Sequence, residues 1–496
     1  MGYISKLPTK ENAANVFSFL ASSILPALLA IYATSLYSRH FAPAEYGRYS
    51  LALAIAAPIL VLASQWLAQA TARFYHELIV KSEGSAISQI ISTVNFYVIL
   101  VFIVIVAVLL LLRVTKNYDA FYYLSGSMYL ITSIVATNFA SYIIYSGRHH
   151  IYNTTMTVAS LVSFIFTITL LYHTNLGISS LLLGTALSNV CATVVFYRIT
   201  NIGFVPASVD NNLKALLKLF IGYGMPLSFW MLMYTVINIS DRYILQYFLG
   251  SEQVGKYSIH YSLVSFPILA INSPMINIYS PKIMKAAAEK DYKMVSKYIN
   301  DASKVYVFIG FLAMGLAYCF GNSIPYILIS HNYYLDKSFY IYIIAGFTVW
   351  NIAMFWHKPM EISKSTKKML QFISIAACVN LVLNILFVPT YGVNAAAVTT
   401  FIAFCIYSLL VFLVNRKTAK LVIDFKQISV CGAISILTVL LFTVNPIKHI
   451  DTGHFYGAIA AVTIFITVYS ILYIVVNYIS RTIDKIVRKG RAKNYA

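Results

Sequence analysis

Charge is what this sequence has least of. Lys, Arg, Asp and Glu together make up 10% of its 496 residues, against about 25% in an ordinary soluble domain. Apolar residues make up 59% and the mean hydropathy is +0.75, which excludes a water-soluble globular domain. Acidic residues are the scarcer sign, 16 against 36 basic ones. Cysteine is sparse as well: Cys191, Cys319, Cys378, Cys405 and Cys431 all fall in apolar runs, with no close pair and no metal-ligand spacing, so neither a disulfide framework nor a zinc site is expected. The phrase GxxxxGK[ST] is absent, so direct drive by ATP through a P-loop is not expected either.

What the chain has in quantity is long apolar runs. The segment from Ile91 to Leu112, "ISTVNFYVILVFIVIVAVLLLL", carries no charge, and about 20 such residues cross a bilayer as a helix. A β-barrel would alternate apolar and polar residues over about ten positions, which these runs do not. Fourteen spans are predicted, near 15–37, 49–72, 90–112, 120–145, 151–172, 176–197, 216–240, 258–279, 304–328, 338–358, 369–388, 393–414, 427–445 and 454–478. The polar start "MGYISKLPTKENAAN" lacks a small-residue cleavage site, so the first span reads as a retained helix.

Basic residues orient the chain. With the N-terminus in the cytoplasm, the cytoplasmic segments hold 28 Lys and Arg against 10 Asp and Glu, and the outer segments 8 against 6, so +18 of the formal +20 lies inside. The positive-inside rule then predicts a multi-pass protein with both termini cytoplasmic. The tail "RTIDKIVRKGRAKNYA" and the segment "PKIMKAAAEKDYKMVSKYIN" read as topology signals and contacts to membrane lipids, not as nucleic-acid sites.

One short phrase occurs twice. "FAPAEYGRYS" at 41–50, between spans 1 and 2, aligns without a gap on "LGSEQVGKYS" at 249–258, between spans 7 and 8, with Gly47 on Gly255, Tyr49 on Tyr257 and Ser50 on Ser258. "NLGISSLLLGT" before span 6 resembles "YGVNAAAVTT" before span 12 at the same spacing. A repeat of six spans in one orientation follows. The expected domains are a six-helix lobe over 1–200, a cytoplasmic linker over 201–215, a second lobe over 216–415, two added spans over 416–480 and a basic tail over 481–496. Gly47 and Gly255 read as structural turns, where glycine admits positive φ.

The flanks of the phrase, "FAPAEYGRYSLALAIAAPILVLASQWLAQATARFYHE" and "FIGYGMPLSFWMLMYTVINISDRYILQYFLGSEQVGKYS" followed by "INIYSPKIMK", resemble the two lobes of Wzx-type polysaccharide flippases, which handle O-antigen and other repeat units. These belong to the multidrug, oligosaccharidyl-lipid and polysaccharide exporter superfamily. The resemblance implies an all-α fold with a V-shaped cavity lined by spans 1, 2, 7 and 8 in the bacterial inner membrane. It implies a carrier and not an enzyme, without cofactor, that moves an undecaprenyl-pyrophosphate-linked glycan to the periplasmic leaflet by alternating access. A polysaccharide polymerase and a chain-length regulator are the protein partners it suggests. Rival readings are a cation or drug antiporter of the same superfamily, which calls for acidic groups deep in the spans, and a membrane polymerase or glycosyltransferase, which calls for large outer loops. A peptidoglycan-precursor flippase is the nearest relative in mechanism.

A pyrophosphate inside a low-dielectric slab needs cations, and ionisable groups at that depth are costly enough to be functional by default. In the spans that the resemblance assigns to the cavity, Arg39 ends span 1, Arg73 ends span 2 in "QATARFYHE", and Asp241 with Arg242 ends span 7. Arg73 offers a bidentate fork to phosphate; the competing reading is a snorkelling topology residue. Arg39 and Arg242 suit either substrate binding or an outer gate with Asp241 and Glu45 as partners. Asp241 reads either as a coupling group or as a paired charge. Lys358, in "FWHKPMEISK" where Pro359 interrupts span 10, presents a charge inward or snorkels to the interface.

Overall fold

The computed structural model describes residues 10–80, 84–111, 118–206, 211–363, 365–417, 419–444 and 455–493. These residues are almost entirely helical, and no strand occurs among them. A helix satisfies every backbone N–H and C=O inside one segment, which lipid demands because no water is present to do so.

The long helices are α1 (Lys10–His40), α2 (Pro43–Val80), α3 (Gly84–Leu111), α4 (Tyr118–Tyr145), α5 (His149–His173), α6 (Ser179–Thr200), α7 (Asn211–Leu249), α8 (Ser251–Ala288), α9 (Tyr292–Phe320) and α10 (Ser338–Trp356). Thr366–Asn415 is broken at Gly392 (φ 62°, ψ −141°) into α11 (366–391) and α12 (393–415). Then come α13 (Phe425–Val444) and α14 (Phe455–Lys493). Among the described residues twelve helices are long and apolar enough to cross a membrane. Dividing the broken one and adding α1 gives fourteen long helices where the sequence predicts fourteen spans.

Boundaries differ in an informative way. Both α2 and α7 overrun their predicted spans, so Arg73 lies seven residues before the end of α2, and Asp241 and Arg242 lie two turns inside α7. Hydropathy marks where apolar residues stop; hydrogen bonding continues past that point. Inside α2, Pro58 has no N–H to give to the preceding turn, and the helix widens into a π-turn over Val61–Gln65 directly after it. Ser64 Oγ donates to the Leu60 carbonyl there at 2.6 Å.

The chain packs as two compact units. The first comprises residues 1–277 and 364–392. Its core is built where Trp66, Leu67 and Ala70 of α2 meet Ile87 and Ile91 of α3, Phe139 and Ile143 of α4, Phe196 of α6 and Phe220 of α7. The paired amides Asn95 and Asn138 cross that core, with Nδ2 of Asn138 donating to Oδ1 of Asn95 at 2.8 Å.

The second unit comprises residues 278–363 and 393–496. Phe320, Phe442 and Phe465, from α9, α13 and α14, form one of its clusters, with the last two ring centroids 5.1 Å apart. Ser435 of α13 donates to the Phe311 carbonyl of α9 at 2.9 Å, and Gln427 of α13 donates to the Tyr473 hydroxyl of α14 at 2.8 Å.

Candidate functional site

Helices approach one another closely only where side chains are small, and the repeated phrase supplies such a place. Gly47 and Gly255 lie within α2 and α8, not in turns as the sequence suggests, and neither has positive φ. The turn residue of the second copy is Gly250, at φ 83°. A Cβ on Gly47 would stand 1.9 Å from the carbonyl oxygen of Ser251, and one on Gly255 would stand 1.8 Å from that of Pro43. Each glycine therefore admits the backbone of the other copy. One turn on, Ser50 and Ser258 meet through their hydroxyls at 2.6 Å.

This contact brings the first turns of α2 and α8 under Arg242. Its Nε donates to Ser50 Oγ at 2.9 Å and to Ser258 Oγ at 3.3 Å, and its Nη1 donates to the Asn238 carbonyl at 2.6 Å. The rings of Tyr257 and Tyr261 lie 5.8 and 5.3 Å from Cζ, close enough for cation–π attraction. Nη2 has no hydrogen-bond partner among the described residues. Arg242 also lines a cavity of about 190 Å³ together with Tyr46, Tyr49, Ser50, Ser258 and Ser262.

Asp241, the preceding residue of α7, is fully buried. Its Oδ2 accepts from Tyr257 Oη at 2.5 Å, and its Oδ1 accepts from Asn384 Nδ2 at 2.7 Å. Asn384 also donates to Asn380 Oδ1 at 3.2 Å, which accepts from Ser240 Oγ at 2.8 Å. Tyr261 Oη donates to Asn238 Oδ1 at 2.7 Å. Adjacent residues thus serve two groups of partners: Arg242 binds the α2–α8 crossing, and Asp241 binds α8 and α11. Such a charged network within spanning helices is costly unless its members are satisfied; here the Asp241 oxygens are paired, and Nδ2 of Asn380 is buried without a hydrogen-bond partner among the described residues.

The remaining candidates sit elsewhere. Glu45 turns back on its own helix, where Oε2 accepts from the Ala42 N–H at 3.0 Å, and so caps α2. Arg39 is exposed near the end of α1. Arg73 is exposed on α2, with its guanidinium 5.6 Å from the Phe74 ring. Lys358, in the second unit, ion-pairs with Glu361 at 2.8 Å, one turn along a short helix that follows the break at His357. Buried His357 bridges Glu361 at 2.7 Å and the Tyr407 hydroxyl at 3.0 Å. The ammonium is thus held by a local partner. Among the described residues no group of three His, Cys, Asp or Glu side chains is placed to hold a metal.

Ser50, Ser258, Asn380 and Asn384 are site residues that charge alone does not flag. The signal for the serines is their place in the repeated phrase. For the asparagines it is two amides four apart in a charge-free run, "CVNLVLN".

The fold is one shared with solved structures of a lipid flippase and of multidrug exporters. A solved structure of "Lipid II flippase MurJ, inward closed conformation" is similar at TM-score 0.71 and 16% identity, covering 92% of this chain and 97% of that one. An inward-facing multidrug resistance MATE family transporter of the MOP superfamily is similar at 0.66 and 14%, covering 82% and 98%. The Vibrio cholerae MATE transporter VcmN in its bent form is similar at 0.56 and 14%, covering 82% and 98%. No curated protein matches the sequence significantly. Residues 13–287 match the family described as "Polysaccharide biosynthesis protein", more than half of the chain, and the protein belongs to that family.

Proposed function

We propose that the protein is a carrier that moves an undecaprenyl-pyrophosphate-linked oligosaccharide repeat unit from the cytoplasmic to the periplasmic leaflet of a bacterial inner membrane. In this reading both termini are cytoplasmic, two six-helix repeats rock about a shared site, and no bond of the substrate is made or broken. A polymerase and a chain-length regulator act on the product downstream. The observation that carries the reading is Arg242. In a chain of a polysaccharide biosynthesis family, a guanidinium lies within spanning helices, three contacts hold it to protein, and its remaining edge borders a cavity.

The same contacts give Arg242 a second role in this proposal. It locks the start of α2 to the start of α8 while substrate is absent, and the phosphate draws it away as α2 and α8 part. Arg73 stands ready at the opposite end of α2 as a first phosphate contact, and Arg39 at the end where α2 begins. Gating and substrate binding are then successive uses of one cation. The MATE-type fold also accommodates cation export. That reading needs a carboxylate free to bind the cation, and the buried Asp241 already takes hydrogen bonds on both oxygens.

A leaflet assay tests the proposal. In cells lacking the protein, completed lipid-linked repeat units should accumulate on the cytoplasmic leaflet with glycosyltransferase activity intact. Cells that flip the unit normally and fail only at chain extension would refute it. Arg73→Lys keeps the charge and loses the fork, so it should restore only part of the transport in such cells. Full activity in both Arg73→Lys and Arg73→Ala would remove Arg73 from the substrate path.

A further inference from the structure

Between α2 and α4 the first unit has an open-sided cavity of about 750 Å³ that the transport scheme does not use. Its volume falls in the range of about 300–1,000 Å³ that takes one small amphipathic ligand. Both helices begin at the same end, tied by the Tyr122 hydroxyl donating to the Arg48 carbonyl at 2.5 Å. Residues one turn apart share a helix face, so the lining can be followed away from that end. The mouth has Glu45, Arg48, Gln246 and Ser251; the depth is mainly apolar, with Leu51, Ile55 and Leu130 beside Ser127. Polar at the mouth and mainly apolar within, the cavity has the gradient of a lipid.

Two details specify the occupant. At the mouth, the Glu45 carboxylate is committed to the Ala42 N–H, whereas the Arg48 guanidinium has no hydrogen-bond or ion-pair partner among the described residues. The mouth thus holds one guanidinium without such a partner, beside a carboxylate that keeps its charge. Deeper in, Gly126 lines the wall. Glycine weakens a helix interior relative to alanine, and here no neighbour demands it, because a Cβ at Gly126 would meet nothing within 4 Å. The space it leaves belongs to the cavity. Ile55 and Tyr123, 55% and 59% exposed, leave the flank open to the bilayer.

We propose that this cavity is a lipid site holding one anionic glycerophospholipid of the surrounding membrane, with its phosphate at Arg48 and an acyl chain passing Gly126 between α2 and α4.

The test uses the full chain in phosphatidylcholine nanodiscs with a trace of phosphatidylglycerol bearing a photoactivatable group near the chain end. Adducts should map to the facing segments 51–56 and 126–130. Gly126→Leu and Leu51→Trp, which fill the cavity from opposite walls, should each abolish that adduct, whereas Gly126→Ala should label like the wild type. Arg48→Gln should lower the preference for phosphatidylglycerol over an equally tagged phosphatidylcholine about fivefold, the factor for one basic residue at a lipid surface. All variants are compared at equal monodispersity and thermal stability. Undiminished labelling in both filled variants, or equal labelling by the two lipids in the wild type, would overturn the assignment. So would loss of the adduct on adding millimolar glycerol phosphate, which would leave only a phosphate site. Displacement by stoichiometric polyprenyl phosphate but not by phosphatidylglycerol would assign the cavity to a substrate lipid instead.

Discussion

Ser50 and Ser258 are 208 residues apart in the chain and share a hydrogen bond at 2.6 Å. They are also the same position in the two copies of the repeated phrase. The pairing continues one turn away: Gly47 meets Ser251, Gly255 meets Pro43, and both partners are again displaced by one repeat. In the proposed mechanism this crossing must open once in each transport cycle.

A disulfide is the direct test of that opening. With the five native cysteines replaced, Ser50→Cys with Ser258→Cys should cross-link under mild oxidation, because the two hydroxyls already touch. The linked protein should be inactive and should regain transport on reduction, each single variant remaining active. Transport that persists while a gel shift reports complete cross-linking would mean that α2 and α8 stay together throughout the cycle.

The glycines should tolerate no side chain. Gly47→Ala and Gly255→Ala each put a carbon inside the contact radius of a backbone oxygen, and relief requires the helices to separate. Overpacking of this kind costs about 1–3 kcal/mol. Thermal unfolding in detergent should register the loss for each variant, and the double variant should be less destabilised than additivity predicts, since the first substitution already opens the crossing. Strict additivity would place the two glycines in independent contacts.

Asp241→Asn should be worse than its small change in shape suggests. The carboxylate accepts on both oxygens, whereas an amide offers one acceptor and turns an N–H₂ group toward Tyr257 or Asn384. Leaving one buried donor unpaired costs about 1–3 kcal/mol. Asn384→Ala in the Asp241→Asn background should add less than it does alone. The measurement is a double-mutant cycle on thermal stability, and a coupling energy of zero would contradict the shared bond.

Asp424 gives a dependence on pH. It precedes α13, accepts from the Gln427 N–H at 2.9 Å and pairs with Lys304 at 3.0 Å. The backbone N–H first, and then the Lys304 ammonium, hold its carboxyl below the usual value. A lowered value in the folded state means that the stabilisation is complete above the ordinary aspartate range and fades as pH falls through the folded value. Asp424→Ala should therefore speed hydrogen exchange in the first turn of α13 at neutral pH, and the effect should shrink as pH falls through the folded value of the wild-type carboxyl. Asp424→Asn, which still caps a helix but carries no charge, should keep part of the protection at neutral pH and lose its dependence on pH over the acid range. An equal effect of Asp424→Ala at neutral and at acid pH would rule out the charged cap.

Span number and helical class were legible in the sequence because transfer free energy is a property of composition, and Ile91 to Leu112 announces a crossing without any partner. Arg242 and Asp241 were legible for the same reason, as charges where charge is costly. Gly47 and Gly255 stand out in the sequence but suggest the wrong role, since a glycine needed for positive φ and one needed for close approach are the same letter. Their repetition marked the place, but only the facing carbonyls identify the constraint. Glu45 illustrates a further limit. A carboxylate three residues into a helix satisfies its own backbone before it reaches a cation, and that competition is decided by geometry. Asn380 and Asn384 carry no charge and interrupt no apolar run, so hydropathy passes over them.

The crossing of α2 and α8 has the form of an isologous interface, the self-complementary patch by which two identical subunits form a closed pair. Here both partners belong to one chain. A substitution at Gly47 changes the half of the contact facing Ser251, and its counterpart at Gly255 changes the half facing Pro43, so neither copy can drift without the other meeting the change. Two sequences otherwise free to diverge are bound at this point to a common shape, and the short phrase is the part that shape requires.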